Sequence, residues 1–375
     1  MVVTNISMIR RGKVRFIITV FLVPILVLSQ LIAVADSTLS LNTYYYDIHP
    51  GLSIIKPSVD YKNSLSLDTT INARLTVDRV KTEPVDAVSS ASQTMGVTIS
   101  KTDIRQEYLV GASHTMGNWI VGAGILASLE KDYKSYSPSI LITKDFNLRN
   151  TTLGLGYSHN FDSVHGQYMS QEESKDVDNI SLSLTQVLST TTLLQLSYTD
   201  QINTGFLGTG NRKLVLENGL EYDEYLPSSR KRQAFGIRIA QWFNLFNDSE
   251  NVYLRDKDTT VHFGYRYYTD DWMLDSNTFE LTAHQTLSTN IKMKAEYRYY
   301  DQSEVYFAKD IYTGSEKYLT TANSLSAFTS DLWGVSLIYT PVKFDKYRLL
   351  IGFEKYNQSS GLTGSAIRAS IKGNY

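Results

Sequence analysis

Cysteine is absent from all 375 residues, and proline is scarce, with seven. The first absence excludes a disulfide framework, a thiolate metal site and a lipidated N-terminal cysteine. The second removes the residue least tolerated in paired strands. Long apolar runs are also few. The one that exists is "FIITVFLVPILVLSQLIAVA", residues 16–35, so no further membrane helix is expected. The 20% charged and 42% hydrophobic shares fit neither a disordered chain nor a helical membrane bundle. No Walker loop, no G-x-G-x-x-G opening a helix and no H-E-x-x-H occurs.

Acids are missing from the first 35 residues. There Arg10, Arg11, Lys13 and Arg15 precede the apolar run, and Ala33-Val34-Ala35 closes it. That order is a secretory signal peptide over 1–35, with cleavage expected near Asp36 and a mature chain of 36–375. An uncleaved anchor is the alternative. Loss of the four bases leaves 32 bases against 38 acids, a net charge of −6. A mildly acidic chain does not suggest nucleic-acid binding.

What is abundant is tyrosine, 26 residues. It suits strands and membrane interfaces, where one end of the ring is wet. The tyrosines sit within a period-two pattern. In "TVHFGYRYYTDDW" (260–272), Val261, Phe263, Tyr265 and Tyr267 alternate with His262, Gly264, Arg266 and Tyr268. In "IKMKAEYRYY" (291–300), Ile291, Met293, Ala295, Tyr297 and Tyr299 alternate with Lys292, Lys294, Glu296, Arg298 and Tyr300. Sixteen such segments run from 39–47 to 364–375, most of them long enough to cross a bilayer at a tilt. Ordinary soluble strands hold about 5 or 6 residues.

Tight turns at 116–118, 149–150 and 288–290 alternate with polar loops at 80–102, 162–176, 204–230 and 303–326. Short turns at one end and long loops at the other mark an outer-membrane barrel, the turns periplasmic and the loops extracellular. The 247–259 connection breaks that rule. The chain ends "SAIRASIKGNY", which places Ile367, Ala369, Ile371 and Tyr375 on one face. This resembles the terminal strand signal read by the barrel-insertion machinery. The expected fold is therefore all-β, an antiparallel transmembrane β-barrel of about 16 strands. Fourteen is the alternative, because Pro57 lies in the second segment. Such a barrel answers the alternation: lipid takes Phe263, Tyr265 and Tyr267, and the lumen takes Arg266.

Several stretches resemble a family of Gram-negative outer-membrane barrel proteins built on a domain of unknown function. They are "VDAVSSAS" (85–92), "EKDYKS" (130–135), "NLRNTTLGLGYS" (147–158), "YRYYTDDW" (265–272), "YRYYDQSEVYF" (297–307) and "EKYNQSSG" (354–361). Ser90 stands where the family tends to have Gly, and Gln93 where it tends to have Pro. The resemblance implies an envelope barrel and supplies no catalytic residue and no cofactor.

Parity places Arg266, Glu280, His284, Lys294, Glu296 and Arg298 on the inner faces of three successive strands. Such a ladder suits a constriction selecting ions, a cluster binding an anionic solute, or a mutually neutral network filling a narrow barrel. The six histidines show no close metal-ligand spacing. His159 and His165 flank Asp162, which reads as an exposed loop pair before it reads as a metal site. Asp270 and Asp271 near His262 raise a rim hydrolase, but nothing marks a nucleophile, and no enzyme is expected. Acids in "YRYYTDDW" and "EYDEYLPSSRKRQ" (221–233) read as solvated loop charges before cation ligands. Arg230, Lys231 and Arg232 are expected near lipid phosphates. The functional expectation is a porin-like channel for small polar solutes or ions, with outer-membrane lipids around it. A structural or assembly barrel acting through its loops is the alternative. The oligomeric state is not legible.

Overall fold

The computed structural model describes residues 37–82, 101–244 and 258–375. The expected signal peptide, the "VDAVSSAS" stretch and most of the 247–259 connection lie outside the described residues. Eighteen strands are present among the described residues. The first nine are β1 (Ser37–His49), β2 (Leu52–Ser64), β3 (Thr69–Thr82), β4 (Lys101–Met116), β5 (Trp119–Leu129), β6 (Tyr133–Phe146), β7 (Thr151–Val164), β8 (Glu173–Val187) and β9 (Thr192–Gly205). A small hairpin follows, β10 (Lys213–Val215) and β11 (Glu221–Asp223). The rest are β12 (Ser229–Phe243), β13 (Thr259–Asp270), β14 (Asp275–Thr286), β15 (Ile291–Gln302), β16 (Phe328–Tyr339), β17 (Tyr347–Gln358) and β18 (Thr363–Asn374).

Sixteen of these strands close a single antiparallel barrel, and β10–β11 stands apart as a two-stranded sheet. Closure is made by β1 against β18, from Thr38↔Asn374 to His49↔Thr363. Ser37 N donates to Tyr375 O at 3.1 Å, and Tyr375 N donates to Ser37 O at 2.8 Å. The ring of ladders leaves no edge with unpaired backbone groups, the condition for a sheet to stand in hydrocarbon.

The fourteen-strand alternative fails because both strand prolines are accommodated. Pro57 faces Thr43 on β1, and the β2–β3 ladder passes from Ile55↔Arg79 to Ser58↔Thr76. Pro138 faces Ile125 on β5, and the β6–β7 ladder passes from Tyr136↔Phe161 to Ser139↔Ser158. A proline lacks the N–H for one ladder only, so each gap is confined to one side.

Register keeps the alternation coherent around the barrel. Tyr45 pairs with Ile367, Ile367 with Phe353, Phe353 with Val335, and Val335 with Ala295. Tyr45, Ile367, Phe353 and Val335 in this row are exposed, as the lipid-facing surface of a barrel must be. Phe263 is exposed on the same face.

Connections at 65–68, 117–118, 147–150, 188–191, 287–290 and 340–346 lie at one end, which carries the turns. The long connections 206–228 and 303–327 lie at the other. The expected asymmetry is partial, because 50–51, 130–132, 271–274 and 359–362 at the loop end are also short.

The buried apolar clusters belong to the loops. Trp272, Leu274, Val305, Phe307, Ala322 and Leu325 form one cluster, and Leu214, Leu216, Tyr312 and Leu319 form another. The loop end is therefore a folded cap.

Ile351 faces outward near the middle of β17. Ile351→Arg is expected to cost about 2–4 kcal/mol of folding free energy in phospholipid vesicles. Urea titration of vesicle-folded protein, read by heat-modifiable gel mobility, checks it. An unchanged midpoint would remove this face from lipid.

Candidate functional site

Glu280 lies directly opposite Arg298 across β14–β15, and His284 opposite Lys294. Glu280, His284, Lys294, Glu296 and Arg298 line one lumen cavity of about 450 Å³. Arg266 lines an adjoining cavity of about 300 Å³ with Arg238 and Glu280. The inner row is longer than parity on three strands indicated. Arg238 and His262 on the near side, and Glu354 on the far side, share the larger cavity. They carry the same alternation signal in β12, β13 and β17, but only register shows that they converge.

The cluster is threaded by contacts of graded strength. Lys294 Nζ reaches Glu296 Oε2 at 2.6 Å, and Arg238 Nη2 reaches Glu280 Oε2 at 3.3 Å. Arg368 Nη lies 3.7 Å from Glu296 and 3.8 Å from Glu354. The rings of His262 and His284 meet edge-on at 5.5 Å. No ion pair to Arg266 or Arg298 occurs among the described residues. A second charged wall, on β2–β4, holds Lys56, Asp60, Arg74 and Glu107 around a cavity of about 500 Å³. There Arg74 pairs with Asp60, Arg105 pairs with Asp78, and Lys56 Nζ stands 3.5 Å from Asp78.

Part of the wall between them, on β7 and β8, carries small groups. At Gly154 and Gly156 a β-carbon would collide with the Ser183 and Ser181 hydroxyls of β8.

The cap covers half the circumference of the mouth. Asn211 Nδ2 donates to Asp132 Oδ2 at 2.6 Å in the β5–β6 turn, and Gln167 N donates to Asn211 Oδ1 at 2.7 Å. At the other side Gln302 Nε2 donates to Ser326 O at 2.5 Å. Thr320 Oγ1 donates to Glu224 Oε1 at 2.6 Å, and Tyr225 and Leu319 exchange backbone bonds, joining the two long loops. In barrel order the β5–β6 turn and the β15–β16 loop stand eight strands apart.

Asp270 holds the cap to the barrel. Its Oδ2 accepts from Arg230 Nε at 2.8 Å, and its Oδ1 accepts from the backbone of Trp272 and Leu274. The Arg230 guanidinium lies 4.3 Å from the Trp272 ring centre. Both side chains are buried, Arg230 at 7% and Asp270 at 0% exposure. The reading of these residues as solvated or lipid-facing charges is therefore corrected for Arg230 and Asp270, and equally for Glu224, whose side chain is buried, and Arg232, which lines the cavity beneath the cap. Asp271 Oδ1 accepts from Lys231 N, and Lys231 Nζ stands 3.6 Å from Asp200.

Two other expectations are not assembled. His159 bonds Asp178 at 2.9 Å, whereas Asp162 is buried against Tyr133 and Lys175, so they form no shared site. His262 and Asp270 lie eight residues apart on one strand, roughly 26 Å, so no rim pair forms. A group with no sequence signal is Asp103, Glu130 and Asp132, whose carboxylate oxygens lie within 4.8 Å of one another. Burial pushes the Glu130 carboxyl above its usual range, Arg105 opposes that, and Asp132 and Asp103 add to it. Ile367, Ile371 and Tyr375 of the terminal strand face outward and are exposed. Ala369 shares their parity and pairs with Thr43.

Closed ladders, a lipid-type outer face and a charged lumen define a transmembrane β-barrel of the outer-membrane type. The chain belongs to the family described as a protein of unknown function (DUF3570), whose model matches residues 44–171 and 165–374. No curated protein matches it. Among solved structures it is similar to CdiB from Acinetobacter baumannii, with a TM-score of 0.52 and 9% identity, covering 89% of this chain and 60% of that one. It is also similar to a bacterial polysaccharide outer membrane secretin (TM-score 0.49, 7% identity, 90% and 98% covered). Pseudomonas aeruginosa OccD3 matches at a TM-score of 0.46 and 7% identity, with 90% and 91% covered.

Arg230→Ala would leave Asp270 buried without its cation, at a cost of about 3–5 kcal/mol to the cap. Limited proteolysis should then cut within 206–228 or 303–327 while heat-modifiable mobility persists. A cap as resistant as wild type would remove the anchor. For Glu130, ionisation is harder in the folded than in the unfolded protein. The penalty is absent below the unfolded pKa of about 4.3 and grows as pH rises through the folded value. Glu130→Gln should therefore raise the thermal midpoint at pH 8 and leave it unchanged in acid. A gain of equal size at both would assign the effect elsewhere.

Proposed function

We propose that this protein is an outer-membrane channel for small polar solutes or ions, with Arg266, Glu280, His284, Lys294, Glu296 and Arg298 in its path. The observation that carries the reading is the charge on the inner wall of β12–β18. Alternation places Arg230, Arg232, Arg238, Arg266, Lys292, Lys294, Arg298, Arg348, Arg368 and Lys372 inward there, against Asp270, Glu280, Glu296 and Glu354. Buried charges are costly unless paired, so a wall with surplus cations implies water around it. A lumen of one sign enriches the opposite ion, so anions should pass more readily than cations. The N-terminal segment 1–35 would direct export. The strand ending in Ile367, Ala369, Ile371 and Tyr375 would engage the insertion machinery, and outer-membrane lipids would cover the apolar face.

Single-channel conductance in a planar bilayer tests the proposal. Wild type should give reproducible steps with anion preference, and Arg298→Ala should weaken that preference. The cap favours a second reading, a structural barrel acting through its loops. A silent bilayer with correctly folded protein would transfer the assignment to it.

A further inference from the structure

Between the cap and the barrel wall lies a cavity of about 330 Å³. Asp162, Asn203, Glu224 and Arg232 all line it. Each presents one buried polar atom with no hydrogen-bond partner: Asp162 Oδ1, Asn203 Oδ1, Glu224 Oε2 and Arg232 Nε. Asp162 and Asn203 are each 4% exposed, and the Glu224 side chain is also 4% exposed. Unsatisfied buried polar atoms are rare and costly in folded proteins. Four residues carrying such atoms line one cavity, from barrel strands β7, β9 and β12 and the loop after β11, and together describe a receptor for polar groups.

The charges indicate its sign. Lys175 pairs with Asp162 at 3.0 Å, Arg212 with Glu224 at 3.6 Å, and Arg230 with Asp270. Arg232 is the cation left over, with no hydrogen bond or ion pair among the described residues. The ligand needs an anionic group for Arg232 and several donors for the three acceptor oxygens. Trp272 also lines the cavity and supplies an apolar side.

We propose that this cavity binds a small, hydroxyl-rich monoanion, its carboxylate on Arg232 and its hydroxyls donating to Asp162, Asn203 and Glu224. The site goes beyond the channel reading, because binding at the mouth requires no flux through the lumen. It also gives the cap a role separate from obstruction: a solute held there is presented at the entrance.

The test uses folded full-length mature protein in detergent, with tryptophan fluorescence and calorimetry as readouts. D-gluconate should saturate both signals. Sorbitol, which lacks the charge, and acetate, which lacks the hydroxyls, should each bind at least about 10-fold more weakly. Arg232→Gln should weaken gluconate by about 10-fold or more while heat-modifiable mobility is retained. Asn203→Ala, which leaves the ion pairs untouched, should weaken gluconate and sorbitol alike. Absence of saturable gluconate binding by folded wild type would overturn the proposal, leaving a water-filled cavity. Equal responses to gluconate, sorbitol and acetate, or an Arg232→Gln protein that binds as wild type, would overturn it too. Conductance can fail while binding succeeds, or the reverse, so the two proposals fall separately.

Discussion

Closure of β1 on β18 is the constraint on which the rest depends. In lipid each unpaired backbone N–H or C=O costs several kcal/mol. The terminal ladder supplies the last of these bonds, down to the reciprocal pair between Ser37 and Tyr375. Once the ring is complete, period-two alternation has a fixed meaning. A slip by one residue on any strand would turn its arginines to lipid and its leucines to water. This is why the outward row from Tyr45 through Ile367 and Phe353 to Val335 runs unbroken across neighbouring strands.

Among the described residues, the buried apolar clusters lie outside the barrel interior. The inner faces are mainly polar, with a few leucines such as Leu109, Leu126 and Leu332, and the charges arrange themselves by wall. Around β2–β4 they pair closely, as in Arg74–Asp60 and Arg105–Asp78. Around β12–β18 the cations exceed the acids; Lys294 pairs with Glu296 at 2.6 Å, and Arg368 stands 3.8 Å from Glu354. Arg266 and Arg298 have no ion pair among the described residues. Between them, Gly154 and Gly156 with Ser181 and Ser183 keep side chains small.

Apolar burial appears instead at the mouth. Trp272, Phe307 and Leu325 pack as a soluble domain would, and the buried Arg230–Asp270 pair fastens that packing to the barrel rim. An anchored cap encloses polar surface that an open mouth would hydrate. Asp162, Asn203, Glu224 and Arg232, each with an unpartnered buried atom, line the cavity between that cap and the barrel.

Alternation, strand length and turn chemistry are local, so the sequence alone pointed to the barrel class and to about sixteen strands, with fourteen left open, and to the two faces of each strand. Parity alone put Arg266, Glu280 and Arg298 on the polar face of their strands, since a period of two needs no knowledge of neighbours. Around Pro57 local chemistry misleads, because strand pairing on its other side decides the outcome. Register and loop folding are long-range. They alone bring Glu354 and Arg368 to Glu296, and they bury Asp270, which in sequence looks like any loop acid. The cap lay beyond reading for the same physical reason: its contacts join residues about a hundred positions apart, such as Glu224 and Thr320, and only the closed barrel places their loops side by side.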